Sequence, residues 1–145
     1  MPYRAELEAL NRMECLGLLE TVRVGRLVFT EGALPAVQPV NFRMHRGDVV
    51  IRIAGGGKLA AATDRSVVAF QADQLDPDLY SGWSVTVVGH AELINDVREL
   101  VEMSGNWLQP WVTGRRGHFV RIRTEQVTGR RLHPPIDRVN GLVPA

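Results

Sequence analysis

The stretch Val49-Val50-Ile51-Arg52-Ile53-Ala54-Gly55-Gly56-Gly57-Lys58 sets both the fold prediction and the first candidate site. β-Branched residues, which favour strands, run directly into three consecutive glycines and then a lysine. A strand that ends in a glycine loop before a helix presents backbone N–H groups to a phosphate. The segment therefore predicts a strand over 49–53 and a candidate phosphate loop at 55–58. An ordinary turn is the alternative interpretation.

The loop does not match the phosphate loop of nucleotide triphosphatases. That motif needs a glycine five residues before its Gly-Lys pair and a Ser or Thr after the lysine. This chain has Arg52 and Leu59 at those positions. Lys58 is nevertheless the only lysine among 17 basic residues, so the one flexible ammonium of the sequence lies beside the three glycines.

Working outward from this stretch, the pattern predicts a mainly β protein. Asn11 and Glu14 form a capping box for a first helix, in which Cys15 is expected to be a buried structural thiol. Gly129 is expected to form a bulge, and 74–81 a polar connection. Six strands are predicted at 26–30, 35–44, 49–53, 66–72, 83–93 and 118–132, with helices at 12–21, 59–62 and 97–107. Helices between successive strands are missing, which favours an antiparallel barrel over a doubly wound parallel sheet.

Length and composition limit the number of domains and the compartment of the protein. With 145 residues, 45% of them hydrophobic, the chain fits a single domain over 1–145, with an irregular tail from about 133. The absence of a long apolar run or a signal-peptide pattern predicts no membrane span and no secretion. One cysteine suits a reducing compartment, so we expect a cytoplasmic protein.

Charge and residue spacing exclude several classes of site. The net charge of +1 gives little electrostatic support for nucleic-acid binding. Seven arginines between Arg115 and Arg138 indicate a solvated basic face, with DNA binding as a weaker alternative. The four histidines have no ligand spacing, so no metal site is predicted. No serine-nucleophile motif is present, and no catalytic residue is assigned.

Six motifs follow the entry helix in order along the chain: Val24-Gly25-Arg26-Leu27, 34–42, 52–58, 67–73, 82–85 with 89–92, and 120–122 with 127–131. In this order they resemble the pyridoxamine 5′-phosphate oxidase-like, flavin-binding split β-barrel family. The resemblance covers roughly residues 5 to 132 and points to small actinobacterial members, with nitroimidazole-resistance-like and deazaflavin-dependent relatives.

The resemblance implies a cofactor groove between two subunits. The second strand would follow the ring system, the glycine-lysine loop would hold the phosphate, and a partner-chain strand would complete the site. Carried over by position, the cofactor-binding residues are Gln38, Pro39, Val40, Asn41, Arg52, Ile53, Ala54, Gly57, Lys58, Trp83 and Ser84. Trp83 has an alternative interpretation as an aromatic plug of the barrel. Ile53 and Gly57 stand where many relatives carry hydroxyl or Arg donors, which predicts weaker phosphate binding. The alternative interpretation for Ile53 is a side chain that faces the barrel core.

The expected function is an FMN- or deazaflavin-dependent oxidoreductase with a small-molecule substrate. In such a protein the cofactor carries the redox chemistry, which agrees with the lack of a catalytic cluster. The alternative is a non-catalytic carrier or sensor that binds flavin or haem on the same fold. A homodimer is expected, because the strand around Val85, Val87 and Val88 is apolar on both faces and needs cover on each.

Overall fold

The computed structural model describes residues 6–54, 58–103 and 117–134. Eight strands and three helices lie in these ranges. The strands are β1 (Glu6–Leu10), β2 (Val24–Glu31), β3 (Leu34–His45), β4 (Asp48–Ala54), β5 (Val67–Asp76), β6 (Ser81–Leu93), β7 (Gly117–Ile122) and β8 (Gln126–His133). The helices are α1 (Arg12–Leu19), α2 (Lys58–Thr63) and α3 (Val97–Glu102).

The strands form one sheet in the order β1-β8-β6-β5-β2-β3-β4-β7, and every pairing is antiparallel. An additional pairing of β6 with β7, the last strand of this order, closes six of the strands into a ring, where Ala91 faces Ile122 and Leu93 faces Val120. This partly ringed sheet confirms the mainly β, antiparallel split barrel with a few flanking helices.

The strand count is eight rather than the predicted six. β1 is absent from the prediction, because four of its five residues are exposed and the alternation of its two glutamates with Leu7 and Ala9 covers only four residues. The predicted strand 118–132 is two strands, β7 and β8, separated at Arg123–Glu125. The buried Thr124 fixes this break, since its backbone N–H donates to Asp48 Oδ1 (3.1 Å) and its hydroxyl to the Gly47 carbonyl (2.8 Å).

Most other helices and strands lie where the sequence pattern predicts them. The capping box of α1 is confirmed: the Glu14 backbone N–H donates to Asn11 Oδ1 (2.8 Å), and the Asn11 N–H donates to Glu14 Oε1 (3.1 Å). Strand β5 continues to Asp76, so the predicted connection 74–81 reduces to a turn at 77–80. Helix α3 ends at Glu102, and residues 104–107 of its predicted extent lie outside the described residues.

The core fills the barrel with inward residues of β2 to β7, together with Leu10 of β1 and Cys15 and Leu19 of α1. Phe42 and Phe70 meet edge to face, with ring centres 4.6 Å apart. A second, smaller cluster lies outside the barrel under α3, where Val50, Ile94, Met103 and Phe119 are buried together. Helices long and apolar enough to cross a membrane do not occur in the described ranges.

Candidate functional site

The sheet splits between β3 and β4. These strands pair only from Phe42 opposite Ile51 to His45 opposite Asp48. Beyond Phe42, β3 remains paired with β2 down to Leu34, whereas β4 remains paired with β7 up to Ala54. We call the opening between residues 34–41 of β3 and 52–54 of β4 the fork.

The predicted site residues of β3 form one arm of the fork. Gln38 and Pro39 are exposed, Asn41 is half-buried and Val40 is buried. Gln38 faces Leu27 in register, yet Leu27 is fully buried while Gln38 is not. Because inward positions of a closed barrel are normally covered, this difference marks the place where the barrel interior opens.

The other arm of the fork holds Arg52, Ile53 and Ala54 at the end of β4. The Ile53 side chain is 4% exposed and belongs to the barrel core. A hydroxyl at this position would therefore point into the barrel, so the expectation that Ile53 replaces a phosphate donor is not supported by its burial. Gly57 lies outside the described residues, and Lys58 is the first residue of α2.

Arg52 lies on the outer face of the sheet. Its guanidinium Cζ is 5.1 Å from the centre of the Phe119 ring, and Phe119 is its register partner on β7. The Arg52 stem crosses Gly117, where an added Cβ would be 2.7 Å from Arg52 Nε and 3.0 Å from its Cγ. The site thus contains a half-buried cation beside the end of β4.

Trp83 and Ser84 lie elsewhere in the same chain. They are on β6, three strand positions from β3 in the sheet, which is about 14 Å at the usual spacing between strands. The Trp83 side chain is 5% exposed and packs in the barrel core. Ser84 faces outward, and its hydroxyl accepts a hydrogen bond from Gln71 Nε2 (3.1 Å). The structure therefore does not bring these two residues to the fork of their own chain.

Sequence reasoning missed Gly117 and Phe119, as well as a polar row on the outer face. In that row Arg26 donates to Gln71 Oε1 (3.1 Å), and Gln71 donates to Asp73 Oδ2 (2.8 Å) and to Ser84. Only the strand register reveals either group, because Gly117 and Phe119 of β7 meet Arg52 of β4, and the polar row spans β2, β5 and β6.

Among the arginines of 115–138 that the structure describes, Arg121 and Arg123 form ion pairs. Arg121 contacts Glu99 and lies 3.7 Å from Glu92, while Arg123 lies 3.1 Å from both Asp48 and Glu92. The hydrogen bond to Glu92 raises the pKa of Arg123 above its ordinary value. These pairs reduce the positive potential that a nucleic acid would meet. Arg115, Arg116 and Arg138 lie outside the described residues.

The described residues contain no group of three or more His, Cys, Asp or Glu side chains placed to hold a metal ion. A cavity of about 370 Å³ lies between the end of α1 and β3, lined among others by Leu19, Arg23, Phe42 and Arg43. It opens where β3 is still paired with β4, so it is separate from the fork.

Comparison with known proteins places the chain in a family. The model of the pyridoxamine 5′-phosphate oxidase family matches residues 11–131. An uncharacterised protein of Mycobacterium tuberculosis is 39% identical over 132 residues, which cover 88% of this chain and 86% of the relative.

Two solved structures share the fold at substantial identity. The FAD-binding protein from Mycobacterium smegmatis is 37% identical with a TM-score of 0.72, covering 86% of this chain and 98% of that one. A candidate pyridoxamine 5′-phosphate oxidase from Corynebacterium glutamicum is 31% identical with a TM-score of 0.78, covering 88% and 94%. The chain therefore belongs to the pyridoxamine 5′-phosphate oxidase family of split β-barrel proteins.

Proposed function

We propose that this protein binds a flavin, FMN in the first instance, along the fork and works as a flavin-dependent oxidoreductase. The observation that carries the proposal is the fork itself: an opening into the barrel with exposed residues of β3 on one arm and Arg52 on the other. The FAD-binding activity of the relative from Mycobacterium smegmatis supports a flavin as the class of ligand.

The residues present fit such a group. Gln38, on the inward face of β3, offers a side-chain amide that can recognise a polar edge of the ring system. Arg52 offers a planar guanidinium suited to a phosphate, and Lys58 follows the glycine loop as a second cation. The flavin would supply hydride transfer, while the chain would bind it, orient it and exclude water.

The fork of one chain leaves one side of a ligand without cover, and we propose that a second copy supplies it. The outer face carries an apolar row in register across four neighbouring strands, made of Val37, Val28, Ala69 and Val88. Val37 is 63% exposed, and the other three are half-buried. A homodimer through this face would cover the row and could bring Ser84 of a second copy to the fork.

The test is to purify the protein, record its visible absorbance and identify any released cofactor by mass spectrometry. We expect a flavin, either copurified or bound from added FMN or FAD, that bleaches with a reductant and recovers with an oxidising substrate. A bound deazaflavin in place of FMN would change the cofactor assignment but keep the enzyme class. A flavin that no substrate reoxidises would favour a carrier or sensor, and no binding of either compound class would overturn the proposal.

Lys58 has its own test. Lys58→Ala should weaken FMN affinity by roughly 1.5 to 3 kcal/mol, the scale of one charged hydrogen bond. Arg98→Ala, which removes an exposed cation from α3, is the control and should leave the affinity unchanged. Equal affinities of the Lys58 variant and the wild type in a fluorescence titration would exclude the phosphate role.

A further inference from the structure

Two residues of β7 define the position of the Arg52 side chain, which begins on the β4 arm of the fork. Phe119 lies beneath the guanidinium, and Gly117 leaves the space through which the Arg52 stem passes. Both residues belong to one strand, which is paired with β4 from Val49 to Ala54. The placement of Arg52 is therefore built into the register of β4 against β7.

The Phe119 ring cannot move freely, because it is part of the cluster under α3. It is 7% exposed and packs with Val50, Ile94 and Met103. Its backbone carbonyl also accepts a hydrogen bond from the Ile94 N–H (2.9 Å). A ring fixed in this way gives the guanidinium a rigid platform, and cation–π contact stabilises the charge there.

Gly117 contributes by lacking a side chain. A Cβ at this position would overlap the Arg52 side chain at Nε and Cγ, both within about 3 Å as measured from the ideal Cβ position. Any residue larger than glycine would push the guanidinium off the Phe119 ring. The φ angle of Gly117 is not in the left-handed region, so the close approach of Arg52 is the reason for a glycine here.

We propose that Gly117 and Phe119 are positioning residues, which hold Arg52 at the fork so that the site selects flavins that carry a phosphate. This inference rests on the proposed function and deepens it. A guanidinium that is already fixed loses less conformational freedom when it binds a phosphate than a mobile one does. FMN and FAD should therefore bind much more tightly than riboflavin, which has the same ring system but no phosphate.

The experiment compares dissociation constants for FMN and riboflavin in the full-length protein. Phe119→Leu and Gly117→Ala should each weaken FMN binding roughly 2- to 30-fold, the range expected for loss of one cation–π contact, and leave riboflavin binding unchanged. Phe29→Leu is the matched control, since Phe29 is also 7% exposed but packs in the main barrel core. Gly17→Ala, which has no atom within 4 Å of its added Cβ, is the control for the glycine.

A double-mutant cycle distinguishes positioning from a general structural effect. If the two residues act through Arg52, then Phe119→Leu and Gly117→Ala should have no further effect on FMN binding in an Arg52→Ala background. The inference would be overturned if either variant lost FMN and riboflavin affinity equally. It would also be overturned if either substitution kept its full effect on FMN binding in the Arg52→Ala background. Gly117→Ala keeps the Phe119 ring and the cluster around it, so this variant tests the inference if Phe119→Leu does not fold.

The outcome also separates this inference from the proposed function. A wild-type protein that binds FMN and riboflavin equally well would remain a flavin-binding protein but would contradict the phosphate selectivity. A wild-type protein that binds no flavin would overturn both.

Discussion

The sulfur of Cys15 lies directly over Gly129, 2.5 Å from the position that a Cβ would take there. The same Cβ would be 3.1 Å from Val85 Cγ2 and 3.2 Å from the Ser84 carbonyl oxygen. Helix α1 can therefore pack against β8 because this strand lacks a side chain at one position. The predicted bulge at Gly129 is wrong: the register of β8 against β6 runs without interruption from Leu132 to Gln126.

Gly129→Ala should destabilise the protein, although alanine is better suited to a strand than glycine. The added methyl group would push Cys15 and α1 away from the sheet, at a cost of about 1–3 kcal/mol. Urea unfolding would measure this cost. Gly17→Ala is the control, because its side chain would meet open space in α1 and should stabilise the helix by about 0.5–1 kcal/mol. An unchanged stability of the Gly129 variant would contradict the contact.

The Cys15 thiol should stay protonated and unreactive in the folded protein. Burial raises its pKa above the ordinary value, and the negative charge of Glu14 adds to this effect. The folded state holds the thiol proton more tightly than the unfolded state does. The free energy of unfolding should therefore fall as the pH rises above the pKa of the unfolded thiol. A thiol reagent at pH 8 should react much faster after unfolding in urea than before. Rapid labelling of the folded protein would contradict the buried position.

The local sequence pattern was enough to predict most helices and strands, whereas the candidate site depends on how the strands pair. The alternation of Val85 and Val87 with Thr86 and Val88 was enough to predict β6, since such a strand is readable from its own residues. The break at Thr124 was not predictable in this way, because its hydrogen bonds reach back to Gly47 and Asp48. The fork, likewise, exists only where two strands stop pairing.

The same reasoning explains the outcome for the candidate residues. The resemblance placed Gln38 to Asn41 and Arg52 to Ala54 in one site, and the structure puts them on the two arms of the fork. It could not say which side chains face inward, so it left two interpretations open for both Ile53 and Trp83, and their burial decides for the barrel core. Phe119 carries no local signal at all, because its relation to Arg52 depends on register alone.

Ile53→Thr should reduce stability and should not tighten flavin binding. The substitution removes apolar surface from the barrel core and buries a hydroxyl among apolar side chains, which together cost about 2–3 kcal/mol. Urea unfolding measures the stability, and an FMN titration measures the affinity. Val97→Thr, at a position 72% exposed on α3, is the control and should change stability by less than about 0.5 kcal/mol. Tighter FMN binding without a loss of stability would restore the phosphate-donor interpretation.

Val37→Glu should convert a homodimer into a monomer. Val37 begins the apolar row that continues through Val28, Ala69 and Val88, and an obligate interface over this face should bury more than about 2,000 Å² in total. Light scattering should give the wild type a mass near twice 16.1 kDa, with a melting temperature that rises with protein concentration. A carboxylate buried in the interface would lose its water without gaining a partner, so the variant should be monomeric at micromolar concentration. Met13→Glu, at a position 84% exposed on α1, should remain dimeric. If the wild type is already a monomer with a concentration-independent melting temperature, both the interface and the contribution of Ser84 from a second copy are wrong.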